Sequence, residues 1–198
     1  VAQPEGPQRV KVGILLARQP DDLGEWLADG AAFEAAGADL LWIDVAHAVE
    51  LDPLTLTAAL AAVTFRSVLV AVLPVSVDRS PAHARTVATI GRLSRGRLRI
   101  LARDLPAGAF AAAGPGMRDL LPPDGSLPSF GPAYDFDHAE RWTSAPPPDG
   151  RAAWRAMRQD AAESGFRGLL VPADPRLIDI LRNPDDPGQR LDLHLASG

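Results

Sequence analysis

The chain contains no cysteine, which excludes a disulfide framework and any thiolate metal site. Lysine is nearly absent as well. Lys11 is the only one and every other basic residue is arginine; with so much Ala, Pro and Gly this is the composition of a GC-rich coding sequence. No block of basic residues occurs and the net charge is -5, so nucleic acid is not expected as a partner. No apolar stretch is long enough to cross a bilayer, and the N-terminus lacks the charged and apolar regions of a signal peptide. A cytoplasmic location without membrane association is the expectation. Histidines are few. His138 and His194 have no partner at ligand spacing, His83 falls in the exposed first turn of a helix, and no metal site is expected.

What is present is an ordinary globular composition, 46% apolar over 198 residues, enough for one domain with a real core. The first half has a regular rhythm. VKVGILLA (residues 10–17) predicts a strand. Asp21 to Ala36 predicts a helix with apolar residues spaced by threes and fours, capped by Asp21 or Asp22 and stopped by Gly37. Leu40 to Val45 predicts a second strand. Asp52 and Pro53 open a second helix as N-cap and first helical residue, over LTLTAALAAVT. VLVAVLPV (residues 68–75) predicts a third strand. Ser80 and Pro81 open a third helix, Gly96 stops it, and Leu98 to Leu101 predicts a fourth strand. The strands are continuous apolar runs rather than alternating ones, which means burial on both faces and a parallel α/β sheet.

A faint echo links the two halves. EAAGADLLWIDVA followed by DPLTL resembles AESGFRGLLVPA followed by DPRLI. Each reads as helix end, glycine, apolar strand, then Asp-Pro opening another helix. Two copies do not make a repeat fold, but they predict one βα unit used twice, with a helix over Arg151–Ser164, a strand at Gly168–Pro172 and a short helix at Pro175–Arg182. The region of about 104–150 is rich in proline and glycine and predicts loops with a single strand near Asp137–Thr143. Six strands are expected in all.

Taken in order, DGAAFEAAGADLLWIDVAHAVELDPLTLTAALAAVT, VLVAVLPV and RSPAHARTVATIGRLSRGRLRIL resemble the luciferase-like flavin-dependent monooxygenases, the group of bacterial luciferase and its F420-dependent relatives. The most telling piece is Leu93-Ser94-Arg95-Gly96-Arg97-Leu98, where that family reads L-S-x-G-R between third helix and fourth strand. The resemblance covers Val10 to about Arg103. It implies a TIM-type (β/α)8 barrel, shortened or incomplete because eight units typically need about 250 residues. The chain then reads as a single barrel domain, residues 1–198, with its site where the strands end.

On that resemblance Asp44 and His47, just past the second strand, line the barrel mouth, and His47 is the candidate for the family histidine that assists flavin oxygen chemistry. A solvated loop histidine is the structural alternative. Leu73, Pro74, Val75 and Ser76 match the site of a strained peptide that braces the flavin ring; a simple strand end is the alternative. Arg103 stands where luciferase places an arginine on the flavin phosphate, for which a guanidinium fork is suited. The usual glycine is missing there, and Asp104 could pair with Arg103 instead. Arg92, Arg95, Arg97 and Arg99 crowd a helix end, where positive charge suits the helix dipole. They read as a solvated face or a place for an anionic partner.

The implied function is a flavin-dependent oxidoreductase or monooxygenase acting on a small organic substrate. FMN is the expected cofactor, with F420 possible, and a separate flavin reductase is a possible partner. The other reading is a degenerate, non-catalytic flavin- or ligand-binding barrel, or a partner subunit. A homodimer is expected through the alanine-rich early helices.

Overall fold

The computed structural model describes residues 9–16, 22–44, 51–73, 81–102, 117–120, 133–136 and 140–184. The elements run β1 (Lys11–Leu16), α1 (Leu23–Ala36), β2 (Leu40–Asp44), α2 (Pro53–Val63), β3 (Val68–Leu73), α3 (Pro81–Leu93), β4 (Leu98–Ala102), β5 (Met117–Leu120), β6 (Ala133–Phe136), β7 (Glu140–Ser144), α4 (Gly150–Glu163), β8 (Gly168–Pro172) and α5 (Pro175–Arg182).

The helix ends follow local chemistry. Asp22 accepts a hydrogen bond from the N–H of Glu25 at 2.9 Å, and Asp52 accepts one from Thr55 at 2.7 Å. Each thereby satisfies a donor that the first helical turn leaves unpaired. Gly37 ends α1 at φ 105° and Gly165 follows α4 at φ 78°, a region open to glycine at little cost. The echo between the halves is structural. The N–H of Ala38 reaches the carbonyl of Phe33 at 3.0 Å, and that of Phe166 reaches Ala161 at 2.9 Å, so both helices turn into the next strand by the same 6→1 bond. Asp174 then caps α5 as Asp52 caps α2.

All eight strands form one sheet in the order β4-β3-β2-β1-β8-β7-β6-β5. The first four are parallel and adjacent in chain order, and β8 and β7 continue the parallel run. Only β6 runs the other way, antiparallel to both β7 and β5. The two ends of the order, β4 and β5, lie beside each other, so the sheet curls back on itself.

The two faces of the sheet differ in what covers them. Val12, Ile14, Leu16, Leu41, Ile43, Leu69, Leu169 and Val171 pack against Trp26, Phe33, Leu60, Trp154, Leu177 and other helix residues. Ala71, Leu73, Leu98 and Ile100 meet Leu54, Val87 and Ile90 of α2 and α3. The alternate set, Leu40, Trp42, Val70, Val72, Trp142 and Leu170, clusters with strand residues alone. One face therefore carries the helices and the other packs against itself. This is the arrangement of a barrel rather than of a doubly wound sheet, whose helices cover both faces. The fold is α/β, a partial TIM-type barrel built on a six-stranded parallel half-barrel.

The interior is close-packed because two strands carry glycine where the tryptophan needs room. A Cβ placed on Gly168 would lie 2.2 Å from the Trp142 ring, and one on Gly13 would lie 2.5 Å from Leu170 Cδ2. Lys11 and Glu140 form an ion pair nearby.

Two expectations need correction. The region of about 104–150 holds three strands rather than one, so the described sheet has eight strands and not six. The strand expected near Asp137–Thr143 is β7, at Glu140–Ser144. The missed segments, MRDL and AYDF, are four residues long and carry charge; they are strands by virtue of pairing with one another and with β7, not by their own propensity.

Candidate active site at the barrel mouth

In a parallel barrel all strand C-termini open on one end, and the packed strands hold the loops there in place. The opposite end collects the charged groups of the αβ turns. Glu34, 6% exposed, accepts hydrogen bonds from the backbone N–H groups of Phe65, Arg66 and Ser67, each at 2.7 Å. Burial by itself pushes the Glu34 carboxyl up. The three backbone donors outweigh that effect, and its pKa lies below the ordinary value.

Arg97 donates to the carbonyls of Thr64 and Ser67, both at 2.7 Å, and to that of Ser94 at 2.9 Å. Burial lowers its pKa, the Glu34 charge counters this in part, and Arg95 adds to it. Asp39 accepts from the N–H of Val12 at 2.8 Å and from Arg9 at 3.0 Å. Each of these charges is occupied by backbone or by an opposite charge, so this end is structural. Arg97 corrects the reading of the arginine cluster as a solvated face: it is half-buried and holds a turn together.

At the other end the strands finish with Leu16, Asp44, Leu73, Ala102 and Pro172. Asp44 is the last residue of β2 and pairs with Val72 of β3. Position 44 continues the alternation of Leu40 and Trp42, the set that forms the helix-free cluster. Leu73 is buried and belongs to the opposite set, packed toward α2 and α3. Of the expected mouth residues, His47, Pro74, Val75, Ser76, Arg103 and Asp104 lie outside the described residues. The described part of the mouth is thus its floor: Leu15, Trp42 and Val72, apolar and close-packed. His83, expected to be exposed, is partly buried in the first turn of α3. Among the described residues no group of histidine and carboxylate side chains is placed to hold a metal ion. No described helix is long and apolar enough to cross a membrane.

Fold and site together define a class: a partial (β/α) barrel whose strand ends converge on one mouth. Residues 8–102, just under half of the chain, match the family described as luciferase-like monooxygenase. The match ends with β4, so the likeness lies in the first four strands and the three helices between them. No curated protein matches the chain. Among solved structures it is similar to a riboflavin lyase crystallised with modified FMN and its substrate riboflavin, at 20% identity and a TM-score of 0.42. The likeness covers 54% of this chain and 32% of that one, so the chain spans about a third of that structure's length.

The side chains below the strand ends are apolar, and Trp42 and Val72 among them are buried. A flat heteroaromatic ring needs an apolar surface to lie on, with polar groups at its rim. Leu15, Trp42 and Val72 have the apolar character that the first calls for.

Proposed function

We propose that the chain is a flavin-linked oxidoreductase of the luciferase-like group, acting at the C-terminal mouth of its barrel on a small organic substrate. The observation that carries this reading is the family match over the first four βα units, whose strand ends meet above an apolar floor. Reduced FMN, or F420 in its place, supplies the electrons when bound.

This chain's own groups then have separable tasks. Leu15, Trp42 and Val72 support the ring and keep water from its lower face. Pro74, Val75 and Ser76 brace it from the side, while Leu73 anchors the strand end against α2 and α3. Arg103 holds the phosphate. His47 holds or moves a proton at the reacting edge, with Asp44 orienting it. On the family likeness, a separate flavin reductase is the partner this reading calls for.

A second reading has its own observation. The wall formed by β5 and β6 is an antiparallel hairpin stacked on β7, where a complete barrel would have βα units. A barrel altered there could bind flavin or another ligand without turning it over, or serve as a subunit.

Titration separates the two. The four tryptophans are all buried, and Trp42 lies in the mouth's floor, so oxidised and reduced FMN and F420 are titrated against tryptophan emission. Quenching that saturates, followed by oxygen consumption with reduced cofactor, supports the enzyme. Saturable quenching without turnover supports the binding barrel. No saturable change with any cofactor in either redox state defeats the flavin reading.

A further inference from the structure

We propose that the seam between β4 and β5 is a latch in the barrel wall, unzipped in this structure and closed by a parallel ladder between the two strands when the mouth is occupied. The seam follows from backbone geometry alone. Its coupling to a ligand rests on the mouth being the site proposed above.

The outer edge of β4 shows how the seam is built. The N–H of Leu69 donates to the carbonyl of Arg97 at 3.0 Å. β3 and β4 pair in parallel, with Val70 opposite Arg99 and Ala71 opposite Ile100. In a parallel ladder alternate residues bond to the same neighbour. Arg97, Arg99 and Leu101 therefore turn their backbone groups toward β3, and Leu98, Ile100 and Ala102 turn theirs away from it. Leu98 bears this out. Its N–H donates to Ser94 Oγ at 3.2 Å, and its carbonyl accepts from Arg99 Nη1 at 2.9 Å. Two side chains thus occupy the lower end of the edge and keep other strands off it.

Ile100, one step up, has no such cover. It is buried, and among the described residues no group outside the β3 ladder bonds its N–H or carbonyl. Buried backbone groups are nearly always paired, so these two call for a strand.

β5 is the strand within reach. It runs antiparallel to β6, which runs antiparallel to β7, so β5 points the same way as β4. Its Cα atoms come within 8 Å of those of β4, yet the two strands form no ladder. An inserted strand would need about 9.5 Å, two ladder spacings. The occupant of the seam is therefore β5 itself rather than a strand of another chain.

Both strands finish at the mouth, β4 with Ala102 and β5 with Leu120. A ligand that touches both strand ends gains contacts when the ends are drawn together. That difference between the two states is what shifts the equilibrium toward the closed one.

The test is amide hydrogen exchange of the full chain, followed by NMR. Without ligand the Ile100 and Ala102 amides should exchange about a hundredfold faster than those of Arg99 and Leu101, which are tied to β3. Saturating FMN should slow Ile100 by roughly tenfold or more and slow the β5 amides with it. Ala102→Pro removes an outward N–H and leaves the β3 ladder whole. It should reduce the protection that FMN gives to β5 while the circular dichroism spectrum stays unchanged.

An Ile100 amide as well protected as that of Leu101 without ligand would overturn the latch, because the seam would already be paired. So would FMN that quenches tryptophan emission and leaves Ile100 exchange unchanged, or β5 protection indifferent to Ala102→Pro. FMN that does not bind defeats the flavin reading alone. Relaxation dispersion shared by Ile100 and the β5 amides without ligand then decides the latch, its presence supporting it and its absence overturning it.

Discussion

Glu34 and Arg97 grip the same turn from opposite sides: the carboxylate takes the N–H groups of Phe65, Arg66 and Ser67, and the guanidinium takes the carbonyls of Thr64 and Ser67. Neither charge meets the other directly, yet both are spent on four residues between α2 and β3. Glu34→Ala should destabilise the chain by about 3 kcal/mol, the worth of one to two hydrogen bonds to a charged group after relaxation. Urea denaturation at neutral pH measures this; a loss below about 0.5 kcal/mol, the ordinary effect of a surface substitution, would show that the turn holds without the carboxylate.

The same residue sets a pH dependence. Its pKa is lowered in the folded chain from an ordinary 4.5, so its stabilisation is fully present above that ordinary value. The stabilisation is lost as pH falls through the lower folded value. Glu34→Gln cannot titrate, so its stability deficit should be largest near neutrality and shrink in acid. A deficit that stays constant from pH 7 down to the acid transition would contradict the assignment.

The barrel interior gives a packing prediction. Gly168→Ala puts a methyl group into the Trp142 ring and should cost about 1–3 kcal/mol, as overpacking does in a close-packed core. Trp142→Leu would leave a cavity on its own but remove the clash. The double variant should therefore be less destabilised than the sum of the two singles. Additive losses would mean that the ring and the glycine do not share this space.

Asp52→Ala removes the N-cap of α2 and should cost about 0.5–2 kcal/mol. Asp52→Asn, which can still accept the Thr55 N–H, should recover most of that loss. Thermal melts of the three proteins decide it, and equal melting of the alanine and asparagine variants would show that the carboxylate charge rather than the cap matters.

On the proposed function, Arg103→Ala should weaken FMN binding by about 1.5–3 kcal/mol, the range of a hydrogen bond to a charged group. His47→Ala should leave binding nearly intact and lower turnover. If Arg103→Ala binds FMN as wild type does, the phosphate assignment fails even though the barrel may still take flavin by its ring.

Much of the frame could be read from residues that act locally. Asp52 before Pro53, Asp174 before Pro175, and Gly37 and Gly165 after their helices mark element ends through bonds to neighbours two to five positions away. The apolar runs of β1 to β4 and β8 gave a buried parallel sheet for the same reason. Glu34 was illegible because its partners lie some thirty residues on, and in EAAGAD it looks like any solvated helix residue. Arg97 was hidden among other arginines. β5 and β6 become strands only by meeting β7, which no local pattern announces. At the mouth, Asp44 ends its strand as expected and Leu73 closes β3; the remaining expected site residues lie outside the described segments.

The ion pair of Lys11 with Glu140 has a consequence for handling the protein. Lys11 is the only lysine, so reagents that couple to side-chain amines have one target, tied to a carboxylate beside the Trp142 layer. Tethering this chain through its lysine would put the linker on the barrel's own strands and strain the pair that joins β1 to β7. Dyes, resins and crosslinkers are better directed to carboxylates on the helix side, or to a cysteine introduced into a chain that has none of its own.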